Sequence, residues 1–545
     1  MDADVIVIGG GPAGSTAATL LARKGHRVLL LERERFPRDH IGESLLPASM
    51  PILEALGVMP AIQAEGFLKK YGATMVWGSG SEPWSWYFRE TNKTHEHAYQ
   101  VWRPRFDQIL LDNSASTGVD VRQGCRVLEV DLPGQDRMTV QYTDGRGAAA
   151  TATCRFVVDA SGQAGLIGRK LGLRKADENF QNLAVYAYFE GCERLPPPDE
   201  TNIFIESYEH GWFWMIPLHN GQMSVGSVVD HRYGSEAIRA NGPEAYFAAQ
   251  VAAAPNASRM LANARLVQGP TVIRDWSYSS TEVAGDGWVL AGDAACFIDP
   301  LFSTGVHLAL SAGVMSAAYV ETALKDRDLA HAAAPVYKRL YDAQYNLFRQ
   351  LAGLFYATNR TIESYFWDAR RIMGFDESVS ARDAFIRAVA GQPPRGYEQV
   401  VLDRGEAPGG LKEGVEAVVA GRAERKERFA TLSAASPGAE PAVLDLVPVL
   451  APDIRVERQP VLGEGEFEWG YVVASPARPD WLPVSAFVAR LVAAADGRRS
   501  VRQLILDLAR ESAVEPASIA RPAVAAIGIL YADGLIDELA PGAPA

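Results

Sequence analysis

The residues of this chain best suited to chemistry are two glycine-containing turns, an acid and a pair of lysines. Gly292–His307 reads GDAACFIDPLFSTGVH. Its Gly292 and Asp293 stand at the end of a short apolar strand, where an aspartate can hydrogen-bond a ribityl or phosphate group. Ser303, Thr304 and Gly305 open the helix that follows, and their backbone amides form a concave, electropositive anion site. Near the start of the chain, Gly9, Gly11 and Gly14 fall at GxGxxG spacing, with Ala13 between the last two. The first glycine makes a tight turn, the second lets backbone approach a pyrophosphate, and the third lets a helix pack closely on its strand. Glu32 ends a second apolar strand, where a ribose hydroxyl needs a carboxylate acceptor, and Arg33 follows it. Lys69 and Lys70 lie within Phe67–Ala73. Alternation along an extended segment sends their side chains to opposite faces, so only one amine points inward. A buried amine has a lowered pKa.

These residues require particular elements to hold them. Val5–Ile8, a helix over Ala13–Lys24 stopped by Gly25, and the strand Val28–Glu32 make one βαβ unit. The strand Cys154–Asp159 and the turn Ala160–Gly162 return the chain to it. Residues 178–270 alternate as strands, including Leu183–Gly191 and Met223–Asp230, with one helix near Pro243–Ala254. That pattern predicts a mostly antiparallel sheet. Phe36–Ala61 reads as loop and short helix, Ala73–Trp77 as a strand, and Tyr99–Ala115 as an amphipathic helix. Helices rich in Tyr and Phe, including Phe355 and Phe366, fill 332–390. Trp212 and Trp214, at i and i+2, share one face of a strand.

The chain is 48% hydrophobic and 22% charged, an ordinary globular composition, and its net charge of −13 argues against nucleic acid or an anionic membrane as partner. Cys125, Cys154, Cys192 and Cys296 are scattered without metal-ligand spacing and read as reduced thiols of a cytoplasmic protein. No uninterrupted apolar run is long enough to span a membrane. His95 and His97 have HxH spacing but no second pair, so no metal site is expected.

Taken together, GxGxxG at the start of the chain, Gly42–Pro47 (GESLLP), Gly211–Pro217 (GWFWMIP, a WxWxIP segment) and Gly292–Phe297 (GDAACF) resemble the flavin-dependent halogenases. The resemblance runs from residue 1 to about 395. It is greatest to the branch acting on phenols, pyrroles and carrier-tethered or acyl substrates. The fold it implies is α/β: a Rossmann-like FAD-binding domain of the flavin monooxygenase type over 1–175 and 271–330, an antiparallel substrate sheet over 178–270 and a helical region over 332–395. The chemistry it implies begins with reduced FAD, delivered by a separate reductase, which reacts with O2 to a hydroperoxide. Chloride or bromide attacks it, and the resulting hypohalous acid passes to a lysine beside the substrate. The family places that lysine two residues before a glycine, which selects Lys70. Arg103 matches the family's RxxFD segment and is implied, with Ser44, in holding FAD. The halide is expected on the amides of Thr304 and Gly305, supported by Ser303. Trp212, Trp214, Phe302, Phe355 and Phe366 are implied in the substrate pocket. In the tryptophan halogenases the turn reads PLESTG; here Phe302 replaces its glutamate, which favours a ring that activates itself. Asp275 matches a position linked to the flavin as an ester in part of the phenolic branch.

Beyond residue 395 the composition changes. Residues 396–440 read as linker with some helix. Residues 441–545 read as helices over Ser485–Ala495 and Ser500–Ser512, then a helix running into a hairpin over Ala517–Leu539. This resembles a small winged-helix, PqqD-like module. It carries nine Arg and no Lys against fourteen acids, net −5, which disfavours DNA and leaves carrier or peptide docking, dimer bracing or a structural cap. Two rivals to halogenation stand: a single-component FAD-dependent aromatic hydroxylase, disfavoured by Asp159–Gly162 (DASG), and a non-catalytic flavin-bearing binding module.

Overall fold

The structure is a computed structural model that describes residues 1–77, 82–133, 137–357, 379–391, 420–434, 441–475 and 478–541. It divides into two compact units: the described residues within 1–373, 381–404 and 464–466 form the first, and those within 374–380, 405–463 and 467–545 the second.

The first unit is built on two sheets. One has six strands in the order Ala284–Gly285, Trp288–Leu290, Phe156–Asp159, Val5–Ile8, Val28–Glu32, Asp120–Gln123. All neighbours run parallel except the hairpin Ala284–Leu290. The central strands VIVI and VLLLE are buried at every position. A parallel sheet covered on both faces requires such continuous apolar runs. The helix Pro12–Arg23 follows the first strand, and two glycines allow its approach. A methyl group at Gly14 would come 1.9 Å from the Gly9 carbonyl oxygen. Gly9 itself has φ +100°, and a side chain there would meet the Ala160 carbonyl oxygen at 2.3 Å. The helix Gly305–Lys325 packs against Pro12–Arg23, and Gly313 leaves no room for a Cβ beside Ala13 and Thr16.

The second sheet has seven strands in the order Arg265–Ser280, Arg174–Glu190, Gln222–Asp230, Gly211–Pro217, Ile203–Tyr208, Gly72–Val76, Trp84–Tyr87. It is antiparallel apart from the pair Ile203–Tyr208 and Gly72–Val76. It therefore reaches beyond the expected 178–270 in both directions. Two strands from before residue 90 extend one edge. At the other edge the pairing of Arg265–Ser280 with Arg174–Glu190 continues to Ser280, so the chain rejoins the parallel sheet at Ala284 instead of 271. The helix expected from Tyr99 begins at Arg103, because Ala98–Gln100 pairs with Leu68–Lys70 and Pro104 is placed where a helix starts. The described helices of the aromatic-rich region are Arg327–Ala357 and Ala381–Val389.

In the second unit, helices Ala486–Ala494, Val501–Glu511 and Pro516–Ala532 enclose a core that includes Leu491, Leu504, Leu508 and Ile527. Ser500 and Gln503 form a capping box at the second helix. The expected C-terminal hairpin does not form. Ile536–Pro541 pairs antiparallel with the upstream strand Leu446–Leu450, and a separate three-stranded antiparallel sheet spans Arg455–Leu462, Phe467–Ser475 and Arg478–Val484. The helix Ala420–Ser433 also belongs here, with Phe429 packed on Tyr531 and the Arg425 guanidinium 5.1 Å from the Tyr531 ring. Among the described residues no helix is long and apolar enough to cross a membrane.

Because the Gly14 contact is with backbone, Gly14→Ala cannot be absorbed by a side-chain rotation. The substitution is expected to destabilise the protein by about 1–3 kcal/mol, read as a lower Tm in a thermal melt.

Candidate active site

The carboxyl ends of Val5–Ile8 and Val28–Glu32 open into a cavity of about 560 Å3. This is the position at which open parallel sheets bind ligands. Gly9, Gly11, Ala13, Glu32 and Arg33 line it from the nucleotide-binding turn, and Asp293, Ser303 and Gly305 from the later one. Ser44, Arg103, Trp212 and Trp214 complete the set of expected residues that reach it. Gly14 and Gly292 act behind the lining, in packing. Gly292 has φ +61° and faces the Ala13 methyl. Asp275 lies on the strand Arg265–Ser280 opposite Asn182, with its side chain outside the described residues, as is Phe366.

The glycine turn fixes the acid. Glu32 Oε2 accepts the Gly10 N–H at 2.7 Å and Oε1 accepts the Glu34 N–H at 2.8 Å. A carboxylate retains lone pairs after two such bonds, so Glu32 can still accept from a ribose hydroxyl. Arg103 is less available than its motif implied. Its Nε and Nη2 bind Asp107 at 2.8 Å each, and its Nη1 donates to the Ile41 carbonyl. Arg38, not anticipated from sequence, also lines the cavity and reaches Asp107 Oδ2 at 3.2 Å. Burial alone would raise the Asp107 carboxyl, but Arg103 and then Arg38 hold it below the usual carboxylate range. Asp293 is pushed up to about 6 by burial, with Arg103 and Arg174 opposing.

The aromatic side is held by a buried acid that sequence reasoning did not single out. Asp299 Oδ2 accepts from Asn182 Nδ2 and from the Tyr356 hydroxyl, each at 2.8 Å, and the Trp212 indole N–H donates to that hydroxyl at 2.5 Å. Asp299 Oδ1 accepts the Leu301 N–H at 3.0 Å and so caps the 3-10 turn Pro300–Phe302. Its place before Pro300 at the mouth of a helix was the available signal. The turn ends at Ser303, which has φ +59°. Trp214 donates to Ser224 Oγ at 3.2 Å and lies over Gly226, where a Cβ would come within 2.1 Å of the ring. Phe302 and Phe355 do not line the cavity. They meet edge to face at 5.0 Å, inside an aromatic cluster with Trp77 and Phe385.

Lys69 and Lys70 separate as alternation predicts. Lys69 is exposed and Lys70 is 2% exposed. The Lys70 amine donates to the Leu45 carbonyl at 3.1 Å and lies 5.4 Å from the Phe88 ring centroid. It does not line the cavity. Burial lowers its pKa to about 7. Thr304 Oγ1 is buried without a protein partner. His95 binds Glu54, and among the described residues no group of His, Cys, Asp and Glu could hold a metal.

A parallel sheet with a glycine cradle that a Cβ would fill, an acid fixed at the second strand and an antiparallel sheet meeting them at one cavity define an FAD-binding flavoprotein. The family model described as tryptophan halogenase matches residues 4–96 and 86–405. A tryptophan 2-halogenase of Chondromyces crocatus is 34% identical over 76% of this chain and 79% of its own. A 1H-pyrrole-2-carbonyl-[peptidyl-carrier protein] chlorinase of Pseudomonas fluorescens is 32% identical over 68% of this chain and 87% of its own. The solved structure of the myxobacterial chondrochloren halogenase CndH, an FAD-dependent halogenase, is similar at 40% identity. It covers 76% of this chain and 95% of its own, with a TM-score of 0.63. The chain belongs to the flavin-dependent halogenases, oxidoreductases that use FAD and halide.

The buried amine makes stability depend on pH in a defined direction. Between about 7, the folded value, and 10.5, the ordinary one, the unfolded chain binds more protons at Lys70 than the folded chain. Stability therefore rises with pH through that window, and the cost of burial is greatest below it. Lys70→Met is expected to be more stable than the parent at pH 6.5, with the gap narrowing by pH 9.5. Urea denaturation at the two pH values measures this.

Proposed function

We propose that this halogenase acts on an electron-rich ring, a phenol or a pyrrole presented free or on a carrier protein, and that Lys70 delivers the halogen. The observation that carries this reading is the Lys70 amine: buried, given one carbonyl partner, and near half-protonated at neutral pH. FADH2, supplied by a separate flavin reductase, provides the reducing equivalents with which O2 oxidises halide: FADH2 + O2 + X− + H+ gives FAD + HOX + H2O. The residues to hold FAD are Gly9, Gly11, Ala13, Glu32, Arg33, Arg103, Asp293 and Gly305, with Gly14 and Gly292 behind them. The halide takes the amides of Thr304 and Gly305. A Cβ at Gly305 would meet nothing within 4 Å, so the backbone there is open to a ligand, and the left-handed Ser303 turns the chain at that point.

The neutral amine of Lys70 takes up halogen, R–NH2 + HOX giving R–NHX + H2O; a ring carbon then attacks the halogen, R–NHX + Ar–H giving R–NH2 + Ar–X, with the ring proton returning to the lysine nitrogen. Trp212 and Trp214, held by Tyr356 and Ser224, wall the route with surfaces that offer no competing nucleophilic oxygen. Phe302 is buried against Phe355, so the turn provides no carboxylate to activate a sluggish ring. That points away from tryptophan, although one relative is named for it, and toward a ring carrying its own hydroxyl or nitrogen donor. The pyrrole-carrier chlorinase among the relatives supports a tethered substrate. The second unit, with its separate core, is the candidate for carrier docking.

Lys70→Ala is expected to retain FAD and to lower halogenated product by about 10²–10⁴-fold. Lys70→Arg does not rescue it, because a guanidinium stays protonated. Product formation by mass spectrometry, with flavin absorbance after gel filtration, checks both. Full activity in Lys70→Arg would exclude the neutral amine. Assay of free phenols and pyrroles beside the same acids loaded on carrier proteins decides the substrate form; halogen on loaded acids alone is the outcome expected if the second unit docks a carrier.

A further inference from the structure

The strand Ala98–Gln100 has Leu68–Lys70 on one side and residue Ser44 on the other. Its hydrogen bonds to the Ser44 segment run from the Leu45 N–H to the Tyr99 carbonyl and from the Val101 N–H to the Glu43 carbonyl. That pattern makes Ser44 and Gln100 a non-hydrogen-bonded antiparallel pair, the closely spaced kind, with both side chains on one face. Lys70 is paired with Ala98, two residues from Gln100, so its side chain is on that same face. The Lys70 amine ends on the carbonyl of Leu45, the residue after Ser44.

Three polar side chains, Lys70, Ser44 and Gln100, therefore share one face of this small sheet. Two atoms lack a hydrogen-bond partner among the described residues: Ser44 Oγ and Gln100 Oε1. Ser44 is 3% exposed and Gln100 0%. The orientation of the Gln100 amide is fixed, since its Nε2 donates to the Thr201 carbonyl at 3.1 Å and leaves Oε1 as the open acceptor. A buried acceptor left unmade costs roughly 1–3 kcal/mol. Such an arrangement is expected where a small polar molecule completes it. Ser44 also lines the cavity, which Lys70 and Gln100 do not.

We infer that Ser44 and Gln100 form a hand-off site that receives hypohalous acid from the cavity and presents it to the Lys70 amine. Gln100 Oε1 accepts the O–H of HOX, the Ser44 hydroxyl binds its oxygen, and the halogen is left toward the amine nitrogen. No bond is made or broken at Ser44 or Gln100; they are positioning residues. The inference rests on the delivery role of Lys70 proposed above.

The test compares the parent, Ser44→Ala, Gln100→Leu and Lys70→Ala in bromide with enzymatically reduced FAD. It reads O2 consumed, brominated product, and free hypobromous acid trapped by monochlorodimedone. FAD affinity and Tm are measured in parallel. Ser44→Ala removes a single atom and keeps the test open if Gln100→Leu fails to fold. The expected result for Gln100→Leu is unchanged O2 consumption and FAD affinity; Ser44→Ala, at a residue of the cavity lining, is read per O2 consumed. Product per O2 falls by about tenfold, the worth of one hydrogen bond, and trapped hypobromous acid rises to match. Parent-like product per O2 in both variants would overturn the hand-off site. Retained product in Lys70→Ala would instead overturn the lysine reading.

Discussion

Burying a primary amine is unfavourable unless its charge is removed or paired, and the first unit is arranged around that constraint at Lys70. Among the described residues no carboxylate fixes the charge of the amine, and desolvation lowers its pKa. One carbonyl, from Leu45, accepts from it, and the Phe88 ring closes another side. The strand that carries it is short and pairs with Ala98–Gln100. The role proposed for the amine and the cost of burying it thus have one origin: the protein forgoes stability to keep an amine uncharged near neutrality.

The cavity obeys a complementary rule. There, charges are kept and neutralised in place. Arg103 and Arg38 share the Asp107 carboxylate, and backbone amides cradle Glu32. Buried groups so satisfied are rigid, which suits a site meant to hold a large dinucleotide in one pose. Asp299 plays the same part for the aromatic side, since one carboxylate positions the Pro300–Phe302 turn, Asn182 and, through Tyr356, the indole of Trp212. The Pro300–Phe302 turn and the aromatic wall are consequently fixed by a single acid.

Local signals were legible in the sequence, and long-range ones were not. Gly9, Gly14 and Glu32 could be read because strand, turn and helix chemistry lies within thirty or so residues. That only one of Lys69 and Lys70 points inward followed from strand alternation, and the choice of Lys70 came from the family resemblance. Arg38 and Asp299 escaped because their roles depend on partners far along the chain, Asp107 for one and Asn182 and Tyr356 for the other. Phe302 and Phe355 read as pocket walls but pack on each other, a contact between distant segments that aromatic composition does not reveal. The pairing of Ile536–Pro541 with Leu446–Leu450 failed for the same reason. A turn after a helix suggests a hairpin, and nothing local signals a partner so far upstream.

The most direct test of this account is the titration of the Lys70 amine itself, by NMR of protein labelled with 15N at lysine Nζ and assigned with Lys70→Met. The account predicts a midpoint at about 7, with a neutral amine above it. A midpoint near 10.5, the value of a solvated lysine, would contradict it and leave no chemical reason for burying that side chain.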